Sequence, residues 1–309
     1  MIRAETTGLG AMVRAGGRAL SEYTGMLFGL FLIQALTAWG AGVAMQGVLS
    51  SVFAGRPLFD EGVDGDVVAL IEALRGAGAV VAAIGWLAAG AIVTWMLLTL
   101  FLHGGLIAVL AERPTGRRDT VRCFGGGGAA TYFVFLRLAL MSMACHLVIL
   151  VVATLGLGAV ADRIDQALTL REVIVALLVG LSPALLLTIL VWTIIDYARV
   201  ELVLRRAGLQ RPGAAVAFVR AAVFVFRRPV ALLHQALWLA AFVAASVLYA
   251  WAAHGPAMLG TSGAISLLVI REGLALVRMA FKVALTAGQV ELSSTRPPPV
   301  RVSVPIDAD

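Results

Sequence analysis

The chain has 309 residues, of which 61% are hydrophobic and only 14% are charged, and its mean hydropathy is +0.96. Soluble domains are about 45–50% apolar and about 25% charged, so this composition excludes a soluble protein. The net charge of +6 does not require a nucleic-acid partner, because membrane proteins concentrate Lys and Arg in their cytoplasmic loops. We therefore expect lipid, and no nucleic acid, around most of the chain.

Six stretches are long and apolar enough to cross a bilayer, which takes about 20 residues per helix. They predict an all-α fold, a polytopic bundle of six transmembrane helices. The sixth stretch carries Arg271, Glu272, Arg278 and Lys282, so its span could instead begin near Gly273. The approximate bounds are 25–50, 78–102, 133–157, 173–197, 230–253 and 264–288.

The basic residues orient this bundle. Of the 24 Lys and Arg residues, 20 fall on one side of the six-helix arrangement and four on the other. The richer side is expected to be cytoplasmic, which places both termini inside a bacterial inner membrane. The expected divisions are a cytoplasmic interfacial helix over 1–24, a transmembrane domain over 25–292 and a proline-rich cytoplasmic tail over 293–309.

A short pattern recurs at the cytoplasmic ends of predicted helices two, four and six. The stretches "HGGLIAVLAE" from His103, "DYARVELVLR" from Asp196 and "TAGQVELSST" from Thr286 each begin with a polar residue. A small residue follows at the third position and a β-branched residue at the fifth. Three such copies would make three parallel units around a pseudo-threefold axis, although high Ala, Val and Leu content also favours chance similarity.

A second signature precedes the three helices that run outward. "VRA" begins at Val13 and Val219, and "VRC" begins at Val121, each about ten residues before an apolar stretch. Each predicted unit is then an inward helix, a basic turn, a short amphipathic helix and an outward helix. The third unit is split, with helix six supplying its first half and the N-terminus with helix one its second.

Amphipathic spacing predicts interfacial elbow helices beside the spans. The uncharged run from Gly78 to Ala111 is too long for the hydrocarbon core, so it is expected to bend at Gly104–Gly105 or to lie in the interface. A second amphipathic helix is expected between Arg211 and Arg228. The predicted apolar faces are Phe101, Leu106, Ile107 and Leu110 in the first, and Val216, Val219, Val223 and Phe226 in the second.

Four consecutive glycines, Gly125 to Gly128, lie next to a basic cluster and raise the question of a phosphate-binding loop. Such a loop would be followed by Lys and Ser or Thr, and this run is followed by "AATYF". The run is better explained as a flexible hinge or a close-packing point between an interfacial helix and a membrane helix.

Predicted helix six carries the polar stripe Arg271, Arg278, Lys282 and Gln289, whose spacings of 7, 4 and 7 put them on one line. Because a charge deep in lipid is costly, the stripe is expected to line an anion path, a lipid-headgroup site or a partner contact. The alternatives are snorkelling to the inner surface and an extension beyond the membrane.

Two further intramembrane polar candidates are His146 and Glu272. A lone membrane histidine could relay protons, but a neutral histidine bonded to a neighbouring helix is the plainer interpretation. No catalytic motif, metal-ligand set or cofactor loop is present, so no catalytic, cofactor or metal residue is predicted. The candidate lipid or partner contacts at the inner surface are Arg117, Arg118, Arg122, Arg205, Arg206, Arg227 and Arg228.

The segments "DYARVELVL" and "FVRAAVFVFRRPVALL" resemble uncharacterised bacterial six-helix membrane proteins. They are also distantly similar to the membrane domain attached to some glycerophosphodiester phosphodiesterases, whose catalytic domain has no counterpart here. The expected function is a non-enzymatic membrane scaffold or subunit whose basic face meets lipids, a protein partner or a second copy. The alternative is a small transporter or channel for an anionic substrate, lined by helix six.

Overall fold

The computed structural model describes residues 8–53, 78–167, 169–205, 212–254 and 260–294, which form eight α-helices and no strands. The helices are α1 (Leu9–Glu22), α2 (Thr24–Phe53), α3 (Gly78–Glu112), α4 (Arg117–Asp165), α5 (Leu170–Leu204), α6 (Ala214–Arg227), α7 (Pro229–His254) and α8 (Gly260–Ser294).

Five of these helices, α2, α3, α4, α5 and α7, are long and apolar enough to cross a membrane. The prediction of an all-α, multi-pass membrane fold is therefore confirmed at this level. A continuous helix, α8, also occupies the predicted sixth stretch, but it is not among the five helices that qualify by length and composition. The count of six spans and the threefold repeat both stay predictions.

The core lies at one end of the bundle, where α3, α5 and α8 contact one another through residues 100–110, 194–203 and 279–292. We call these three segments the hub. The small and β-branched positions of the recurring pattern all lie within it, and all are buried. The pattern is thus the sequence signature of a helix–helix contact, since small residues let helix backbones approach closely.

The opposite end of the bundle, which we call the open end, packs far less tightly. Trp86 near the start of α3 and Trp251 near the end of α7 are 79% and 80% exposed. Tryptophans collect at the boundary between bilayer and water, so these two mark the expected edge of the membrane. One tight contact at this end joins α4 to α5, where the backbones of Gly156 and Gly180 meet.

Each hub helix is covered by an amphipathic segment. The first turns of α4 pack on α3, α6 packs on α5, and α1 packs on α8. In the third pair a Cβ on Gly16 would lie 2.9 Å from the Cβ of Ala284, so the backbones nearly touch. The two parts of the predicted split unit therefore do pack together, although they come from opposite ends of the chain.

The expected bend at Gly104–Gly105 is wrong, because α3 continues as a helix to Glu112. The predicted interfacial face of this segment is also wrong for Leu106, Ile107 and Leu110, which are 2–5% exposed within the hub. The physical reason is that a helical stretch longer than the membrane core can be covered by protein as well as by lipid. Here α5 and α8 cover it.

The four glycines form no hinge, since α4 runs unbroken from Arg117 to Asp165. Gly127 and Gly128 are buried against α3, where a Cβ on Gly128 would lie 2.7 Å from the carbonyl oxygen of Phe101. Gly125 and Gly126 have nothing within 4 Å of the position a Cβ would take. Close packing, the second half of the prediction, is therefore what two of the four glycines do.

Candidate functional site

Helix α6 has two apolar faces on opposite sides. Ala217, Ala221 and Val225 are 0–1% exposed against the hub. The predicted face, Val216, Val219, Val223 and Phe226, points the other way and is 45–66% exposed. At about 100° per residue the two stripes are about half a turn apart. One face anchors the helix to the protein, and the other is free to meet lipid or a partner.

Arginines surround this packed end of the molecule. Of the predicted inner-surface contacts, Arg117, Arg118, Arg122 and Arg227 are exposed, while Arg205 and Arg228 are half-buried and Arg206 lies outside the described residues. The guanidinium of Arg228 lies 5.0 Å above the ring of Phe224, a cation–π contact. Arg14 and Arg18 of α1 add two exposed cations.

The two glutamates of the repeated "VEL", Glu201 and Glu291, form ion pairs with arginines at the edge of the hub. Glu201, whose side chain is 3% exposed, pairs with Arg205 at 3.1 Å and with Arg220 of α6 at 3.6 Å. Glu291 of α8 pairs at 2.8 Å with Arg113, which follows α3 and has a positive φ of 50°. Neither role was predicted, although a glutamate between valine and leucine beside a membrane helix is itself a signal that it needs a partner.

A cluster of charged and polar groups lies where the three hub helices meet. Asp196 accepts a hydrogen bond from Arg199 at 3.0 Å, and Lys282 of α8 interacts electrostatically with both residues. His103 of α3 lines a small cavity with Lys282 and has its Nδ1 2.8 Å from the carbonyl of Thr99. Because Asp196 pairs with Arg199 and also attracts Lys282, it is the counter-charge for both cations.

The predicted stripe on α8 does not stay in one environment. Gln289, which is uncharged, is buried, and Lys282 is half-buried in the hub. Arg278 and Arg271 are exposed. The Gln289 amide donates to Gln235 at 3.3 Å, and Arg278 stacks 5.4 Å above the ring of Phe242. The stripe thus divides into a packed part and a surface part.

Neither intramembrane polar candidate is isolated. Trp192 donates its indole N–H to Nε2 of His146 at 3.2 Å, while Nδ1 lies 2.7 Å from the carbonyl of Ser142. Nδ1 must therefore carry the proton, which describes a neutral histidine bonded to a neighbouring helix. Glu272 pairs with Arg271 at 2.8 Å, so these two charges compensate each other.

Sequence reasoning gave no structural role to His234, which is fully buried between α7, α1 and α8. Its Nε2 accepts the indole N–H of Trp238 at 3.0 Å, and its ring lies 2.5 Å from the Cβ position of Gly288. The glycine at the third position of the pattern therefore makes room for this ring as well as for the backbone of Met12.

Comparison with protein-family models finds no match for this chain, and comparisons with curated proteins and with solved structures find none either. The resemblance to glycerophosphodiester phosphodiesterase membrane domains consequently stays a prediction.

Proposed function

We propose that the protein is a non-enzymatic component of a bacterial inner membrane, with both termini cytoplasmic. Its packed end is the cytoplasmic face, where exposed arginines and α6 hold anionic lipid headgroups and serve as a scaffold for partners. The observation that carries this proposal is the outer face of α6, an apolar stripe with Arg220 and Arg227 at its edge.

Lipid suits this face better than water does. A helix that lies in the membrane interface buries an apolar stripe just below the headgroups and places Arg or Lys beside it. Each basic residue near an anionic surface contributes about 1 kcal/mol of attraction. The exposed Val219 and Phe226 would supply the apolar part, and Arg220 and Arg227 the charge.

A spin label at position 219 tests this placement. In a background without Cys123 and Cys145, we expect Val219→Cys in liposomes to be more accessible to oxygen than to a water-soluble nickel chelate, because its side chain faces acyl chains. The matched control is Ser21→Cys on the polar face of α1, for which the nickel chelate is expected to have the better access. A label at 219 that behaves like the label at 21 contradicts interfacial insertion.

Anion transport along α8 is the second candidate, and Lys282 favours it. This cation lies beside Arg199 within the hub and lines a cavity of about 20 Å³. That volume holds about one water, and Arg271 and Arg278 are at the surface. Anion flux into liposomes is the direct test: a rate that is unchanged by both Arg278→Ala and Lys282→Met removes this candidate.

A further inference from the structure

A cleft of about 730 Å³ opens between the first turns of α2 and the first turns of α4. Its walls are Met26, Leu30 and Ile33 on one side and Val121 and Phe124 on the other. The volume is within the usual range for small-molecule pockets. The cleft begins where α2 begins its predicted crossing, at Thr24, so its mouth lies at the level of the headgroups.

The apolar part of the cleft has the length of an acyl chain in one leaflet. From Tyr23 to Ile33 the helix rises about 15 Å, which is about half of a hydrocarbon core about 30 Å thick. Gly25 and Gly29 line this stretch and have nothing within 4 Å of their Cβ positions. They leave a smooth channel on α2 in which a chain can lie.

The mouth of the cleft is polar and carries both signs of charge. Glu22 is on one side and Arg117 on the other, and neither forms an ion pair with another described residue. Arg117 is the first residue of α4, and the N-cap of that helix, Gly116, also lines the cleft and offers no side-chain cap, so no cap side chain accepts from the first-turn amides. Burial and the neighbouring Glu22 raise the pKa of the Tyr23 phenol, which remains a hydrogen-bond donor there.

We propose that this cleft binds one membrane phospholipid whose headgroup carries a phosphate and a primary ammonium and no further charge, that is, a phosphatidylethanolamine. The phosphate lies against Arg117 and the α4 amides, the ammonium against Glu22, and one acyl chain along Gly25 and Gly29. The inference deepens the proposed function, on which it rests for the orientation of the packed end toward headgroups.

The charges of the mouth select among headgroups. A purely anionic headgroup would meet the Glu22 carboxylate as well as Arg117. A choline headgroup carries the positive charge but has no N–H to donate, whereas an ammonium donates up to three hydrogen bonds. The same acyl chains with different headgroups should therefore bind with different occupancy.

Native mass spectrometry of the full chain in detergent measures that occupancy. The probes are phosphatidylethanolamine, phosphatidylcholine and phosphatidylglycerol with identical acyl chains. We expect the dissociation constant for one phosphatidylethanolamine, obtained from the bound fractions, to be lower than that for either other lipid by about fivefold, the ratio given by one net hydrogen bond of about 1 kcal/mol. Glu22→Gln should remove the preference over phosphatidylcholine, and Gly29→Leu should remove the bound lipid by filling the channel.

Gly40→Leu is the matched control, because Gly40 lies on the same helix with equally open space and does not line the cleft. It should bind as the unaltered chain does. Equal occupancy by the three lipids, or full occupancy in Gly29→Leu, overturns the proposal. A general preference for anionic lipid that depends on Arg118 and Arg122, which do not line the cleft, would then leave the proposed function standing. If that general preference is absent while the cleft still selects phosphatidylethanolamine, the proposed function fails and the cleft proposal stands.

Discussion

Replacing Gly128 with alanine is expected to lower the free energy of unfolding by about 1–3 kcal/mol, the usual cost of overpacking. The new Cβ would lie 2.7 Å from the Phe101 carbonyl oxygen and 2.8 Å from the Phe101 ring. Gly127→Ala should behave alike, because its Cβ would overlap that of Ala108 and lie 3.1 Å from the Gly104 carbonyl oxygen. Thermal unfolding in detergent measures both variants.

The control lies in the same run of glycines. Gly125→Ala adds a Cβ that meets nothing within 4 Å, and alanine is favoured over glycine in a helix by about 1 kcal/mol. We therefore expect Gly125→Ala to raise the unfolding midpoint while its neighbours lower it. If all three variants raised the midpoint, the α3–α4 contact would not be as close as described.

Replacing Asp196 with asparagine should destabilise the hub, because Arg199 and Lys282 then lose their counter-charge. Breaking a fully buried pair costs about 3–5 kcal/mol. The side chains of Asp196 and Arg199 are still 26% and 19% exposed, so we expect about 1–3 kcal/mol after discounting for solvent. The midpoint of thermal unfolding is again the measurement.

A second substitution separates charge balance from simple loss of a contact. Lys282→Met removes one of the two cations, so the double variant Asp196→Asn with Lys282→Met should be more stable than the sum of the single effects predicts. Asp162→Asn, at an exposed carboxylate near the open end, should change the midpoint little. Additive single effects, or an equal loss from Asp162→Asn, would contradict the interpretation of the cluster.

Composition and apolar length were sufficient to predict the helical class and most of the spans. Both properties follow from the solvent: lipid requires that backbone hydrogen bonds be satisfied within each helix. The recurring pattern also located the hub, since its small positions Gly105, Ala198 and Gly288 are all buried. A pattern of small residues predicts a helix–helix contact but does not identify the partner helix.

The environment of each charged residue could not be predicted, because it depends on which helices meet. Lys282 and Arg278 are one helical turn apart on the same stripe, yet the first lies in the hub and the second at the surface. Helix α6 shows the same limit, since it has two apolar faces and nothing in their spacing says which one packs. The cleft is likewise lined by Glu22 and Arg117, which are distant in sequence, so the sequence alone does not predict that they lie near each other.

In the proposed function, arginines at the packed end hold anionic lipid. Spin-labelled phosphatidylglycerol and phosphatidylcholine in mixed liposomes measure the relative association of each lipid with the protein. For Arg118→Gln with Arg122→Gln we expect the preference for phosphatidylglycerol to fall by at least about fivefold, the ratio that about 1 kcal/mol gives. For Arg163→Gln with Arg171→Gln, next to Asp162 and Glu172, we expect little change. An equal preference in the unaltered protein and both double variants would contradict the proposed function.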